Sequence, residues 1–222
     1  MNNIIFIQRT VHAITGILLL FLVTNYLTIY EQGWYYAFLT LVGFYTLFDF
    51  GYSESLLHIS SSKTCNSEDL LRYSAPRYLK STIVFFILFN IIGYIFFSHQ
   101  DQDLSYDWLL IWVLLCFSSS LFLFLMPIFS ILQGIGHIRD VYLIRLIQNI
   151  SSIVLFVIIV FNFVGLLATV SISISAVIVQ VFYFAKKHKR LFYVYLRSVK
   201  PYNSVEIVKN KFVLHVGICL LG

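Results

Sequence analysis

Four polar side chains fall on one face of an otherwise apolar segment in the second half of the chain. Arg145, Gln148, Asn149 and Ser152 occupy positions i, i+3, i+4 and i+7, which share one face of an α-helix. A polar face on a membrane helix avoids lipid and points into the helix bundle or a water-filled cavity. A guanidinium donates two parallel hydrogen bonds to a phosphate, so we predict a cavity-lining stripe in which Arg145 binds phosphate. In the alternative, Arg145 reaches the lipid headgroups and only anchors its helix.

A second polar stripe follows the start of the chain. Arg9, His12 and Gly16 share a helix face, and Thr15 lies beside them. We predict Arg9 and His12 as further cavity-lining residues, with His12 as a proton-sensitive group. The alternative is a half-solvated histidine near a membrane interface.

Asp49 comes near the end of an unbroken apolar stretch that opens at Trp34. The sequence favours Asp49 as the point where a span ends, with its carboxylate capping the next helical turn or pairing with a base. Gly51 supports this interpretation because glycine permits a break in the helix. The alternative is a coupling or gating group, since an ionisable residue inside hydrocarbon costs a few kcal/mol unless function or pairing compensates.

Glu54 and His58 lie four residues apart and share a helix face, so they can form a charge-assisted pair. On a continuous helix Asp49 and Glu54 point about 140° apart, which makes them poor partners for acid/base catalysis. We therefore expect no catalytic residues, no metal and no cofactor, and we interpret Asp49, Gly51, Glu54 and His58 as a gating or structural motif.

The elements that must position these residues are membrane helices. The 222 residues are 59% hydrophobic and 11% charged, whereas soluble domains carry roughly 25% charge. The fold class we predict is all-α, a polytopic membrane bundle of six transmembrane helices plus the start of a seventh. The six predicted spans cover about 11–29, 34–57, 82–98, 108–132, 143–161 and 163–185.

Basic residues fall on one side of this six-span arrangement. All 15 Lys and Arg lie before the first span, in the connections after the second and fourth spans or at their ends, or after the sixth. The opposite side holds Glu31, Asp101, Asp103 and Asp107. The positive-inside rule then predicts a cytoplasmic N terminus, and it explains the net charge of +5 without a nucleic-acid partner.

Three regions follow from this division. Residues 1–185 form the predicted six-helix lobe, and residues 186–211 form a basic linker that is long enough for a surface helix on anionic lipid. The alternative for this segment is a plain stop-transfer flank. Residues 212–222 make an apolar run of about 11 residues, too short to span a bilayer. We expect them to start a truncated seventh helix, and the sequence to be a piece of a longer protein.

Two segments resemble a known family. "EQGWYYAFLTLVGFYTLFDFGYSESLLHISS" resembles the second span of polysaccharide (O-antigen type) flippases, which closes on an Asp-apolar-Gly-apolar motif. "LQGIGHIRDVYLIRLIQNI" resembles the turn between spans four and five of that family. The resemblance implies the N-terminal lobe of a multidrug/oligosaccharidyl-lipid/polysaccharide exporter fold in the bacterial inner membrane. It implies an undecaprenyl-pyrophosphate-linked oligosaccharide as substrate, moved by alternating access, and other surface-polysaccharide assembly proteins as partners.

Three other functions stay open at this point. One is a drug or ion-coupled exporter of the same superfamily, although such an exporter needs a carboxylate deep in the first span, and that span has none. Another is an integral-membrane enzyme of polysaccharide biosynthesis. The third is a non-transporting membrane scaffold.

Overall fold

The computed structural model describes residues 2–62, 65–98, 108–162 and 165–198, and within these ranges the chain is helical, without strands. The predicted all-α class is confirmed. The α-helices are α1 (Asn2–Tyr26), α2 (Ile29–Gly43), α3 (Tyr52–Ser61), α4 (Ser67–Phe97), α5 (Trp108–Gly134), α6 (Ile138–Asn162), α7 (Ala168–Lys187) and α8 (Lys189–Arg197). Short 3-10 helices cover Phe44–Asp49 and Gly165–Leu167.

Within the described ranges, five helical segments are long and apolar enough to cross a bilayer. They are Asn3–Tyr26, Ser67–Phe97, Trp108–Gly134, Ile138–Asn162 and Gly165–Lys187. The chain is therefore a membrane protein whose apolar helices contact lipid.

The predicted second span, 34–57, is not one continuous helix. It consists of α2, the 3-10 helix Phe44–Asp49 and the short helix α3. Phe50 and Gly51, with φ of 48° and 72°, adopt the left-handed conformation between the last two elements. Glycine takes this conformation without steric cost, so the break predicted at Gly51 is confirmed.

This break lies inside the bundle rather than at its end. The Tyr45 ring packs on Phe122, at a centroid distance of 5.6 Å. Phe122 precedes the end of α5 at Gly134 by about 18 Å, at 1.5 Å per residue. After the break, α3 continues along α5 until Ser60 meets Gly134, where an added Cβ would lie 1.7 Å from the Ser60 Oγ. The turn predicted at Asp49 is therefore present, and the chain continues beyond it along α5 as the ten residues of α3.

The main core joins α2, α4 and α5 through aromatic rings. Trp34 stacks on Phe97 at 5.0 Å, and Phe97 packs 5.3 Å from Trp112. Gly93 lets α4 approach α5, because a Cβ at this position would lie 2.1 Å from the Trp112 Nε1. The same Nε1 donates a hydrogen bond of 3.2 Å to the Phe89 carbonyl, so the indole fixes the register of the two helices.

A second, smaller core holds α1 against α6 and α7. Leu22 and Val23 of α1 are buried with Phe156 of α6 and Ala168 of α7. Most other α1 side chains are exposed, as expected for a peripheral helix facing lipid. Helices α6 and α7 pack together along their length as an antiparallel hairpin.

One end of the bundle, here called the basic end, collects the starts of α4 and α6 and the ends of α3, α5 and α7. The helix predicted to begin at about 82 begins at Ser67, because Asn66 caps it and the glutamate and aspartate that follow favour its first turn. Part of the segment predicted to form a surface helix after residue 186 is helical, as α8, and its contact with anionic lipid stays a prediction. Its Tyr195 is fully buried and donates a hydrogen bond to the Phe124 carbonyl of α5. The predicted start of a seventh helix, 212–222, lies outside the described residues.

Replacing Gly93 with alanine should destabilise the protein by about 1–3 kcal/mol, because Trp112 has to leave its place between α4 and α5. Thermal unfolding in detergent, followed by circular dichroism, measures the change. Gly16→Ala is the matched control, since an added Cβ there meets nothing within 4 Å and alanine favours a helix. Equal melting temperatures for the two variants would contradict the tight α4/α5 contact.

Candidate functional site

A cavity of about 550 Å³ lies between the helices, towards the basic end. Its walls come from α1, the 3-10 helix Phe44–Asp49, α3, α5, α6 and α7. The polar lining residues are Gln8, Arg9, His12, Tyr45, Ser53, Glu54, Ser130, Gln133, Tyr142, Arg145, Gln148, Asn149 and Gln180. A space enclosed by membrane helices but lined in this way suits a polar ligand rather than a lipid tail.

A second cavity of about 370 Å³ adjoins the first and shares His12, Tyr45, Gln148 and Asn149 with it. It adds Ser152, one turn further along α6. We call the two volumes together the central cavity. It extends along α6 from Arg145 to Ser152, and its walls are more apolar in this second part.

The structure brings the two predicted stripes together in this cavity. All four residues of the α6 stripe line it, as do Arg9 and His12 of α1. The helical period explains this result, because positions i, i+3, i+4 and i+7 of a regular helix must face the same way. Gly16, grouped with the α1 stripe, is exposed and does not line either part of the cavity.

Hydrogen bonds divide the lining amides into two kinds. The Gln148 Nε2 donates to the Ala176 carbonyl of α7 at 3.0 Å, so this side chain joins α6 to α7. In contrast, the Asn149 Nδ2 and both amide atoms of Gln180 are buried and have no hydrogen-bond partner among the described residues. Because a buried polar group without a partner costs about 1–3 kcal/mol, these two amides mark where a polar ligand gains most.

The charges in the cavity come from two arginines and one carboxylate. Arg9 and Arg145 are exposed, so both guanidinium groups are accessible from the cavity. Arg145 lies 5.9 Å from the centroid of the Tyr142 ring, at the outer limit of a cation–π contact. Glu54 is the acidic lining residue. Because the two positive charges outnumber the one negative charge, the cavity favours an anionic ligand. Its polar lining favours a ligand that also carries hydroxyl groups.

The structural motif around Asp49 lies elsewhere. Asp49 is buried, and its carboxylate accepts hydrogen bonds from the Tyr78 hydroxyl and from the Ser53 hydroxyl and backbone N–H. The predicted capping role is confirmed, since the Ser53 N–H belongs to the first turn of α3. The Asp49 side chain is largely shielded from water, at 8% exposure, so these hydrogen bonds replace its hydration. Glu54 faces the central cavity, whereas His58 is exposed outside its lining.

Sequence reasoning missed an ionic cluster at the basic end. Asp140, at the start of α6, is buried and pairs with the Lys187 Nζ at 2.6 Å. The His188 Nε2 lies 3.1 Å from the same carboxylate, and the His137 Nδ1 lies 3.5 Å from it. The cluster joins the start of α6 to the end of α7. Pairs separated by 47 and 48 residues leave no local spacing pattern that could have revealed them.

Burial lowers the pKa of His188, and the hydrogen bond that its Nε2 donates to Asp140 only partly opposes this effect. His137 and Lys187, which face the same imidazole, lower the pKa further. His188 is therefore held neutral at physiological pH, and Lys187 supplies the charge that balances Asp140.

The fold and this site define a class: an all-α membrane protein with a polar, partly cationic cavity between its helices. Comparisons with protein-family models, with curated proteins and with solved structures find no match to this chain.

Replacing Asp49 with alanine should lower the free energy of unfolding by about 1–3 kcal/mol, because the Tyr78 hydroxyl and the Ser53 N–H lose their acceptor. Asp49→Asn keeps one acceptor oxygen and should cost less. Chemical unfolding in detergent measures both. Asp69→Ala, at an exposed aspartate in the first turn of α4, is the control. Equal losses at the two aspartates would show that the Asp49 hydrogen bonds contribute nothing.

Acidification should destabilise the basic end. Because the pKa of His188 is lower in the folded protein than the usual value of about 6.5, the unfolded chain binds the proton first, and stability falls as the pH drops below about 6.5. Melting temperatures of the purified protein between about pH 7 and 5.5 test this. His188→Gln should flatten the dependence, and an unchanged slope in this variant would exclude His188 as its origin.

Proposed function

We propose that this chain is a transporter lobe that moves a lipid-linked oligosaccharide with a pyrophosphate linkage across the membrane. The proposal depends on one observation: the Asn149 Nδ2 and both amide atoms of Gln180 are buried beside a cavity between membrane helices and have no hydrogen-bond partner in the described part of the chain. Sugar hydroxyls donate and accept hydrogen bonds, so they satisfy both atoms of a side-chain amide.

Two arginines supply the affinity for phosphate. Arg145 and Arg9 line the same cavity from α6 and α1. A pyrophosphate carries several acceptor oxygens, and a planar guanidinium binds two of them at once. Arginine is also charged at every physiological pH, so the cavity retains an anion-binding surface whatever the state of His12.

The lipid part of such a substrate requires no polar contact. Dissolved in the bilayer, it can stay outside while the head group enters between the helices. The lining becomes more apolar beyond His12 and Asn149, as expected for a path on which a head group is not held too tightly.

The direction of transport is part of the proposal. Every basic residue in the described ranges lies in the half of its helix nearest the basic end, or in α8. With that end in the cytoplasm of a bacterium, as the positive-inside rule favours, the cavity opens first towards the leaflet in which lipid-linked precursors are assembled. The membrane is then the inner membrane, and surface-polysaccharide assembly proteins are the partners.

Arg145→Lys should weaken binding of a polyprenyl-pyrophosphate disaccharide about tenfold, because an ammonium group cannot reproduce the two parallel hydrogen bonds, and one charge-assisted bond contributes about 1.5 kcal/mol. Arg145→Ala should bind still more weakly. Binding to purified protein in lipid nanodiscs is measured with a fluorescent analogue of the disaccharide lipid. Movement between leaflets is measured in proteoliposomes by quenching the same label from outside.

Arg139 provides the matched control. It is exposed on the same helix but outside the cavity lining, so Arg139→Lys and Arg139→Ala should leave both measurements unchanged. Wild-type binding by Arg145→Lys together with loss in Arg145→Ala would reject the phosphate contact and support the headgroup anchor. Failure of the wild-type protein to bind the analogue would reject the proposed function.

A further inference from the structure

A groove outside the central cavity runs between α4 and the break in the second span. Its volume is about 360 Å³, and it shares no lining residue with the central cavity. Phe48, Phe50 and Val84 form most of its apolar surface, and Arg77 and Lys80 lie at its polar side. Neither the proposed transport cycle nor the Asp49 hydrogen bonds require such a groove.

The groove lies where α4 leaves the apolar part of the bilayer. All Asp, Glu, Lys and Arg residues of α4 fall at or before Lys80, and 81–97 has none. From Ile83 onwards, the outward face of the helix is a continuous row of exposed apolar side chains, among them Val84, Ile87 and Ile91. Lys80 therefore marks the boundary between headgroups and hydrocarbon, because a charged residue deeper in the membrane would be costly.

Two cations lie on one side of the groove at this boundary. Arg77 and Lys80 are three residues apart, so they occupy neighbouring positions on α4. Arg77 donates a hydrogen bond of 3.1 Å to the Tyr52 hydroxyl, and its guanidinium lies 4.2 Å from the centroid of the Tyr73 ring. These contacts hold Arg77 at the rim, while the exposed Lys80 reaches outwards.

The one acidic residue of the groove does not cancel this charge. The Asp49 carboxylate is 8% exposed and accepts its hydrogen bonds from Tyr78 and Ser53. The lining thus carries two positive charges and one internally bonded negative charge. Next to these charges the Phe50 ring is 75% exposed, held outwards by the left-handed backbone at φ 48°.

We propose that this groove binds an anionic phospholipid of the surrounding leaflet. The phosphate lies between Arg77 and Lys80, and an acyl chain passes over Phe48, Phe50 and Val84 towards the apolar face of α4. Charge complementarity and the position at the membrane boundary together select an anionic lipid over a zwitterionic one. The proposed lipid site does not involve the transported substrate, so the experiments that test it are separate from those that test the proposed function.

A tryptophan at the groove reports on the bound lipid. Phe50→Trp places an indole at an exposed position of the lining, whereas the three native tryptophans are buried in the α2/α4/α5 core. In bilayers with mixed lipids, phosphatidylglycerol with brominated chains should quench this indole more strongly than brominated phosphatidylcholine at the same fraction. Adding Lys80→Gln should reduce the preference about fivefold, the effect of one basic residue near a membrane surface.

Lys186→Gln is the control for general surface charge, since Lys186 is exposed at the end of α7 and outside the groove. It should leave the preference unchanged. Equal quenching by the two lipids, or the same loss in Lys186→Gln as in Lys80→Gln, would overturn the proposal. Competition by inorganic phosphate at constant ionic strength would also overturn it, because the ligand would then be free phosphate.

Native mass spectrometry of the unlabelled protein avoids the tryptophan substitution. After extraction from a mixture of the two lipids, the wild-type chain should retain more phosphatidylglycerol than Lys80→Gln, with equal phosphatidylcholine. Equal retention of both lipids by the two proteins would count against the site even if the Phe50→Trp variant failed to fold.

Discussion

A chain that stops being helical at the edge of the hydrocarbon, beside packed apolar helices, must find new partners for its backbone N–H and C=O groups, because little water reaches them. The break between α2 and α3 meets this constraint with side chains. The Ser81 hydroxyl donates to the Phe48 carbonyl, and Asp49 accepts the Ser53 N–H. Because Tyr78 holds the same carboxylate, these few hydrogen bonds join the break to α4. The groove and the part of the central cavity formed by α3 lie on either side of this connection.

Regular periodicity carried most of the predictive power of the sequence. The stripe from Arg145 to Ser152 and the pair Arg9 and His12 face the central cavity because α6 and α1 are uninterrupted helices, and spacing alone fixes the side of a regular helix. The hairpin of α6 and α7 was equally predictable, since only a short polar turn separates two apolar runs. Hydrophobic length identified the membrane class for the same reason.

What the sequence could not provide depends on contacts between distant residues. The apolar run through Phe44 continues without interruption, so composition hides the change to a 3-10 helix. Local pattern did point to the turn at Gly51, but its depth depends on how Tyr45 packs on α5. Gln180 belongs to no sequence motif. A single amide in an apolar helix can be recognised as a site residue only when the cavity that it lines is known. Asp140 required partners nearly fifty residues away.

Most of the surface of α1 is exposed, and this affects how the helix bundle can change its conformation. This helix supplies Arg9 and His12 to the cavity, yet most of its surface faces outwards, and its buried apolar contacts cluster near Leu22 and Val23. Because the apolar contacts of this rigid helix concentrate near one end, a small rotation about that end moves the other end far. Tilting α1 about Val23 would widen or close the arginine-lined mouth while the aromatic core between α4 and α5 kept its packing. Such a motion exposes little apolar surface to water, because the surrounding hydrocarbon replaces the lost contacts.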